Sequence, residues 1–312
     1  KAVIDLNVYQ EKKNEEVINN AKSSDFIFGR WNGVDNSFER ANFPMGYEGG
    51  NSGVCPSQNL VEAFDMRDGT PFDWNNPDHR TKALDPLERD PRLAQTVLMN
   101  GQLFKGRRVE SFTGGMNGLP KEGASPTSYY LRKHLKEDTD LTTGSATSYQ
   151  HIWPLFRYAE VLLNYAEALL EATKEPDFKG IIDNVNYTLS PREAVNMVRA
   201  RVDMNPIGTA GYDAFKKRLR NERRMELAFE GHRFWDIRRW KIGSSTTKLE
   251  GLAITAIENE NAVEGEDMYT YSYVKKTVQE RIWEDRMNYY PIQDTELFKN
   301  HNLIQNDGWD GN

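Results

Sequence analysis

Two glutamates that could do chemistry, Glu222 and Glu226, stand four residues apart in the second half of the chain. If this segment is helical, they share a stripe with Phe215, Leu219 and Phe229, on or beside the buried face. Paired carboxylates can serve as a general acid and a general base, but nothing else nearby has the character of a nucleophile or an oxyanion site. Because buried carboxylates are costly unless cations pair with them, the stripe favours a structural role.

Arginines accompany these carboxylates along residues 220–240 and can bind them in a bidentate manner. We expect a structural ion-pair network that fixes two helices to the body of the protein, formed by Glu222, Arg223, Arg224, Glu226, Arg233 and Arg238. A catalytic carboxylate pair and a nucleic-acid patch are the alternatives. The basic residues alternate with acidic ones instead of forming a stripe, which disfavours nucleic acid.

Aromatic residues in Asn- and Gly-rich segments form a second set with chemical potential. Trp31, Tyr47 and Trp74 have no packing period around them, and Trp74 stands between Asp73 and Asn75. Such rings can stack on the C–H face of a polar ligand, while carboxylate and amide side chains bond its polar groups. They can equally anchor loops by burial. These five residues are the hypothesis for ligand contacts, and both roles stay open for each ring.

No residue pattern indicates a cofactor or a catalytic metal. The five histidines show no His-x3-His spacing, and the single cysteine, Cys55, excludes an internal disulfide. Asp65, Asp68 and Asp73 could hold a structural calcium ion, although their spacing matches no known calcium loop. Because neither a Gly-x-Ser-x-Gly motif nor a phosphate-binding loop occurs, we predict no catalytic residue.

Charge and hydropathy restrict the function further. Lys and Arg number 40 and Asp and Glu 47, which gives a net charge of −7, whereas dedicated nucleic-acid binders carry a basic excess. The mean hydropathy is −0.75, and no apolar run approaches the roughly 18 residues of a membrane helix. The chain opens at Lys1 without the charged and apolar regions of a signal peptide. This leaves open a cytoplasmic protein or a mature or truncated chain.

The elements that must position these residues are mainly helices in the second half. Apolar spacing predicts a helix over residues 155–173, and a capping box at Ser190 predicts another over 190–201. The two resemble a tetratricopeptide-type helical hairpin. Two further helices are predicted over 213–230 and 234–242.

Extended segments are predicted mainly at the two ends of the chain. We expect a strand over 25–31, a loop over 32–56, and strands or short extended pieces over 93–98 and 102–104. Alternating tyrosines predict a half-buried strand over 268–276, and residues 280–292 are expected to pair with it as a hairpin. The prediction is therefore a mainly α fold with a loop-rich, irregular region and a few short strands.

Several motifs resemble the SusD/RagB family of outer-membrane nutrient-binding lipoproteins. They occur in the family's order between about residue 24 and residue 309, and together they are highly specific. The segments are residues 56–69, 90–93, 129–133, 155–168, 198–201, 220–240, 290–293 and 302–306. On this resemblance the chain is one SusD-like domain over 1–312, with a ligand-facing part (1–150) and a helical scaffold that ends in a hairpin (151–312).

The resemblance implies function as well as fold. Members of the family capture glycans, or peptides in the RagB-like branch, at the cell-surface side of the outer membrane and pass them to a SusC-like, TonB-dependent transporter, without catalysis. Members begin with a lipidated cysteine and several tetratricopeptide-like helices, so this chain is expected to be the C-terminal portion of a lipid-anchored protein. Peptide capture is the first alternative. A glycoside hydrolase is the second, and it would need two carboxylates across a cleft.

Overall fold

The computed structural model describes residues 1–10, 12, 18–259 and 268–309. Its α-helices are α1 (Ala2–Asp5), α2 (Ser37–Asn42), α3 (Gln58–Val61), α4 (Pro77–Thr81), α5 (Pro91–Thr96), α6 (Tyr158–Thr173), α7 (Pro191–Ala200), α8 (Tyr212–Glu226), α9 (Arg233–Arg239) and α10 (Asp294–Lys299). Its strands are β1 (Phe26–Asp35), β2 (Val97–Leu98), β3 (Leu103–Phe104), β4 (Arg107–Arg108), β5 (Tyr130–Leu131), β6 (Tyr149–Arg157), β7 (Gly180–Ile182), β8 (Val185–Tyr187), β9 (Lys248–Glu258) and β10 (Tyr269–Glu280). The described strands pair only in twos, so the predicted mainly helical, loop-rich fold is confirmed.

Helices α6, α7 and α8 form the scaffold of the second half around one apolar core, in which Leu162 is fully buried. Ser190 and Glu193 form the predicted capping box at the start of α7. Helix α8 ends four residues before its predicted end, because the backbone turns into the left-handed region at Phe229 and again at Gly231. No helix in the described parts of the chain is both long and apolar enough to cross a membrane.

Strand β1 pairs antiparallel with β6, far away in the sequence, and the register places Trp31 opposite Ile152. The strand is longer than predicted, and helix α2 occupies part of the expected loop. The predicted start of the long helix at residue 155 is wrong, because Leu155 still belongs to β6. The Tyr158 amide donates to the Asp25 carbonyl at 2.8 Å, so a partner more than a hundred residues away sets the boundary.

A long hairpin near the C-terminus is made by β9 and β10, which pair antiparallel from Lys248 opposite Glu280 to Glu258 opposite Tyr269. The prediction that residues 280–292 pair with the tyrosine strand is therefore wrong. A 3-10 turn, Asp285–Asn288, occupies part of that segment instead. The true partner precedes the tyrosine strand in the sequence.

A second apolar core joins the first half of the chain to this hairpin. Phe64, Leu93 and Tyr129 are fully buried there, together with Leu252 from β9. The extended piece predicted at 93–98 is mostly helix α5, which ends in the two-residue strand β2. The reason is local, because the Asp90 carboxylate caps the helix and a proline follows at its first position.

Candidate functional site

The three aromatic residues singled out in the sequence lie in three different surroundings. Tyr47 belongs to a buried cluster, Trp31 lies on strand β1, and Trp74 lies in the loop before α4. Their ring contacts in the described structure are with other residues and not with one another. They therefore do not form one platform, and each has to be judged by its own neighbours.

Tyr47 is a core residue, which corrects its assignment as a ligand contact. It is 8% exposed, and its ring meets Phe104 edge to face at 5.0 Å between centroids. The guanidinium of Arg107 lies over the ring, 3.9 Å from the centroid. Burial raises the pKa of the Tyr47 hydroxyl. The Gly-rich segment around Tyr47 carries no periodic pattern, so the sequence could not show this burial.

Trp31 is 52% exposed, but it is a strand residue. Its ring meets Phe26 edge to face at 5.8 Å. A cavity of about 460 Å³ opens beside this strand, and its lining includes the neighbouring Arg30 and Asn32 but not the Trp31 ring. Trp31 is thus an exposed strand residue whose ring contacts Phe26 and does not line the cavity.

Trp74, Asp73 and Asn75 stay together in a hydrogen-bonded loop. One carboxylate oxygen of Asp73 accepts from the Asn75 amide at 2.9 Å, and the Asp73 amide donates to Nδ1 of His79 at 3.0 Å. The Trp74 ring is half-buried beside Phe72, with 6.3 Å between the centroids. The loop backbone is therefore fixed, while the side chains of Asp73 and Asn75 face solvent.

Arg89 supports this loop from below. It is fully buried and donates to the carbonyls of Val61 and Phe64, each at 2.8 Å, and of Ala83 at 2.5 Å. Its guanidinium lies over the Phe72 ring, 4.0 Å from the centroid. Burial lowers the pKa of Arg89 to about 10. One side chain thus satisfies several buried carbonyls and gives the neighbouring rings a rigid base.

Half-buried rings from this loop and from the hairpin pack on the same apolar core. We call the half-buried aromatic side chains that pack on the second core the aromatic row: Phe72, Trp74, Phe112, Tyr271 and Tyr273. Ring centroids are 5.9 Å apart between Phe112 and Tyr271, and 6.5 Å apart between Tyr271 and Tyr273, which are stacked. Burial and then the neighbouring Tyr271 raise the pKa of Tyr273 to about 12. The alternation of tyrosines predicted a shared strand face, but only the fold shows that Trp74 lies on the same core.

Charged and amide groups adjoin the Trp74 end of the aromatic row. The ammonium nitrogen of Lys275 lies 5.6 Å from the Trp74 ring centroid. The same nitrogen is 3.0 Å from a Glu62 carboxylate oxygen and 3.4 Å from one of Glu250. Asn59 in turn accepts from the Glu250 amide at 2.9 Å. Flat apolar faces and hydrogen-bonding groups are thus combined on one surface.

The two glutamates of α8 lie in an interior ion-pair network and are both 0% exposed. Arg92 bridges them, with Nη1 2.5 Å from Glu222 and 3.0 Å from Glu226. Arg157 binds Glu226 at 2.5 Å. Burial by itself raises the pKa of Glu226, but the charges of Arg201, Arg157 and Arg92 hold it well below its usual range. These carboxylates are enclosed by cations and face no cleft.

Most partners in this interior network come from outside helices α8 and α9. Among them are Asp25, Asp65, Asp90, Lys133, Arg199 and Glu230. Helical spacing predicts that the two carboxylates lie on the buried side, and the predicted cations are their neighbours in the chain. The actual cations are contributed by strand β6, by loops and by other helices, and no local spacing could identify these.

Of the predicted arginines, Arg223 forms a buried pair with Asp236, at 2.9 Å, and also donates to the Asn164 amide oxygen at 2.6 Å. Arg238 instead lies over the Phe234 ring, 3.5 Å from its centroid. Its assignment to the ion-pair network is therefore corrected to a cation–π contact.

Arg224 and Arg233 also differ from the prediction. Both line a cavity of about 710 Å³ between the end of α8, the start of α9 and the segment around α3. Neither side chain forms a hydrogen bond or an ion pair with any residue that the structure describes. Helix geometry explains the difference, since Arg224 is only two positions from Glu222 and Glu226 and so points away from their face.

The carboxylates considered for calcium do not converge. Asp65 is bound by Arg199 at 3.0 Å and by Arg218 at 2.7 Å. The Asp68 carboxylate accepts from the amide and hydroxyl of Thr70. Over the described ranges, no group of three or more His, Cys, Asp or Glu side chains could hold a metal ion.

The comparisons of this chain with known proteins agree on one family. The SusD family matches residues 13–309 of the chain. A SusD-like carbohydrate-binding protein of Bacteroides fragilis is 27% identical, with a TM-score of 0.74 over 97% of this chain and 60% of its own. A second SusD-like protein of B. fragilis is 26% identical, with a TM-score of 0.70 over 92% of this chain and 55% of its own.

The SusD-like protein P2 of Formosa agariphila is 37% identical over 102 residues, which is 31% of this chain and 18% of that protein. The chain thus spans little more than half the length of the two solved relatives. The family match covers nearly all of the chain and agrees with the mainly helical fold built around short strand pairs. The chain belongs to the SusD family.

Proposed function

We propose that the protein is a non-catalytic receptor that captures oligo- or polysaccharides. The observation that carries this proposal is the aromatic row, beside the charged and amide groups of Lys275, Glu250 and Asn59. Sugar rings present C–H faces that stack on aromatic side chains, and their hydroxyls need hydrogen-bond partners close by. Several rings on one core suit a ligand made of repeating units.

Two further points support capture without cleavage. A relative in B. fragilis with 27% identity is described as carbohydrate-binding. The two carboxylates of α8 that could have formed a hydrolytic pair, Glu222 and Glu226, are buried among arginines, whereas a glycoside hydrolase needs its pair open to the scissile bond.

We further propose that the receptor acts at the cell-surface side of the outer membrane, held by a lipid anchor, and delivers its ligand to a SusC-like, TonB-dependent transporter. Membership of the SusD family supports this step. The test is co-purification of the transporter with the tagged protein from detergent-solubilised outer membranes. Failure to recover a transporter would contradict this proposal. So would a protein that resists protease added to intact cells and is degraded only after the cells have been lysed.

Binding is tested by calorimetric titration of the whole protein with a panel of polysaccharides. Trp74→Ala is expected to weaken binding by about 1–3 kcal/mol, the range for an aromatic stacking contact. Trp31→Ala is the matched control, because it removes an exposed tryptophan outside the aromatic row and should leave affinity unchanged. If only Trp31→Ala weakened binding, the site would lie on β1 instead.

Two other outcomes would overturn the proposed function. Binding of peptides in the absence of any polysaccharide binding would favour the peptide-capture alternative. Release of reducing sugar from a bound polysaccharide would establish a hydrolase. Measuring both on the protein used for the titrations decides between the alternatives.

A further inference from the structure

The cavity that contains Arg224 and Arg233 carries a strong excess of positive charge. We call it the arginine pocket; its charged lining residues are Arg224, Arg233, Lys248, Arg281 and Glu62. Four cations thus face a single carboxylate. With a volume of about 710 Å³, the pocket falls within the range of small-molecule sites.

The nearby acidic groups are already bound elsewhere. Glu62 lies 3.0 Å from the Lys275 ammonium and accepts from the Gln58 amide at 2.9 Å. Asp236, the acid nearest to Arg233 along α9, is held by Arg223 and by Arg239. Neither arginine of the pocket therefore forms an ion pair in the described structure, and Glu62 and Asp236 act on Arg224 and Arg233 only from a longer distance.

Arg224 experiences this imbalance most strongly. Burial, and then the positive charge of Arg233, lower the pKa of Arg224 to about 10. A positive charge in such surroundings is unfavourable unless an anion accompanies it. The direction of the shift agrees with the geometry, since both describe a site that an incoming anion would neutralise.

We propose that the arginine pocket binds the carboxylate or sulfate group of an acidic sugar residue. The guanidinium group is planar and forms paired hydrogen bonds with such oxyanions. The remaining lining suits a sugar ring, because it places Phe234 and Leu60 beside the polar side chains of Asn59 and Asn221. The proposal rests on the proposed function and assigns the ligand class as anionic glycans.

Glu62 connects the arginine pocket to the aromatic row. It lines the pocket, and it pairs with Lys275, whose ammonium lies over the Trp74 ring. A glycan bound along the row could therefore extend an acidic substituent into the pocket. Neutral parts of the ligand would then be held by the rings and the charged substituent by the arginines.

The pocket itself is tested with inorganic sulfate, without any knowledge of the glycan. Thermal unfolding of the parent protein, an Arg224→Gln/Arg233→Gln variant and Arg108→Gln is compared in sodium sulfate and in sodium chloride of equal ionic strength. Arg108 is exposed and lies outside the pocket, so its variant controls for the loss of a positive charge elsewhere, one where the double variant loses two, and for the general stabilisation by sulfate. We expect a larger sulfate-induced rise in Tm for the parent and Arg108→Gln than for the double variant. An equal rise in all three would overturn the proposal.

The ligand class is tested with matched pairs: polygalacturonate against its methyl-esterified form, and dextran sulfate against dextran. Preferential binding of a charged member supports the proposal and distinguishes a carboxylate from a sulfate. That preference should fall by about ten- to a hundredfold in the double variant, as expected for the loss of charge-assisted hydrogen bonds.

Binding of neutral polysaccharides alone, unchanged in the double variant, would overturn the pocket assignment but leave the proposed function intact. Binding of acidic peptides but of no polysaccharide would overturn both. A sulfate response confined to proteins with an intact pocket, without any glycan binding, would support the anion site but contradict the proposed function.

Discussion

Helix α8 contributes glutamates to one charged region and an arginine to another. The two regions differ in whether their charges are neutralised by ion pairs. On one side, Glu222 and Glu226 lie in the interior network, where Arg92 contacts both. On the other side, Arg224 lines the arginine pocket with Arg233 and has no ion pair among the described residues. Both regions come from the same short stretch of charged sequence, yet in one the charges are neutralised and in the other they are not.

The difference separates structural charge from charge that is available for binding. A buried ion pair with complete hydrogen bonding is destabilising to break but offers nothing to a ligand. A half-buried cation without an ion-pair partner is unfavourable by itself, so an anion that enters the pocket gains part of its binding energy from neutralising it. We infer that stability depends on one side of α8 and ligand recognition on the other.

Replacing Glu226 should have the largest effect on stability. Glu226→Gln leaves Arg92 and Arg157 without their shared counter-charge, so we expect a loss of about 3–5 kcal/mol in the free energy of unfolding. Urea denaturation measures it. The control is Glu296→Gln, which removes only the exposed pair with Lys299 and should cost less than about 1 kcal/mol. Similar losses for the two variants would contradict the comparison.

Acid should weaken the interior network through Glu230. Its side chain is 1% exposed, and burial raises its pKa, but the charges of Arg157 and Lys133 lower it to about 2. Because the folded-state pKa lies below the unfolded one, the stabilisation is complete above about pH 4.5 and disappears as the pH falls toward 2. The difference corresponds to about 3 kcal/mol.

The measurement compares the parent with Glu230→Gln by urea denaturation between pH 7 and pH 2. The difference between the two proteins should shrink over this interval, and a constant difference would show that the Glu230 pKa is not depressed. The comparison is needed because burial raises the pKa values of Asp25 and Asp65, which act in the opposite direction.

Replacing Arg224 should have the smallest effect on stability. Since no ion pair in the described structure is broken, Arg224→Gln is expected to leave the free energy of unfolding within about 0.5 kcal/mol or to increase it slightly. Urea denaturation at low salt is the measurement. A loss of several kcal/mol would mean that Arg224 has a structural counter-ion after all, and the contrast between the two sides of α8 would disappear.

The sequence predicts features that depend on nearby residues better than features that depend on distant ones. The capping box at Ser190 and the burial of Glu222 and Glu226 depend on residues a few positions apart, so a local motif predicts the first and helical spacing predicts the second. The start of α6 and the partner of the tyrosine strand depend on pairing with distant segments, and both were mispredicted. Local sequence patterns determine which side of a helix or strand faces the core, but not which residues that side contacts.

The same limit explains the errors at the candidate site. Tyr47 and Trp74 both stand in segments without a period, and only packing separates the core residue from the half-buried one. Arg223 and Arg224 are neighbours in the chain, and helix rotation alone places one among acidic partners and the other in the pocket. Residue type indicates which interactions each side chain can form, and the fold determines which of these interactions are formed.

The contact between Arg157 and Asp25 also has a consequence for how the protein folds. The two residues are 132 positions apart, and Arg157 also binds Glu226 in a third distant segment. Such contacts form only after long stretches of chain have been closed into loops, which makes folding slow and strongly cooperative. During synthesis, strand β1 can pair with β6 only after residues 149–157 have emerged, and the contact of Arg157 with Glu226 must form later still, so we expect this part of the tertiary structure to assemble only after all three segments have left the ribosome.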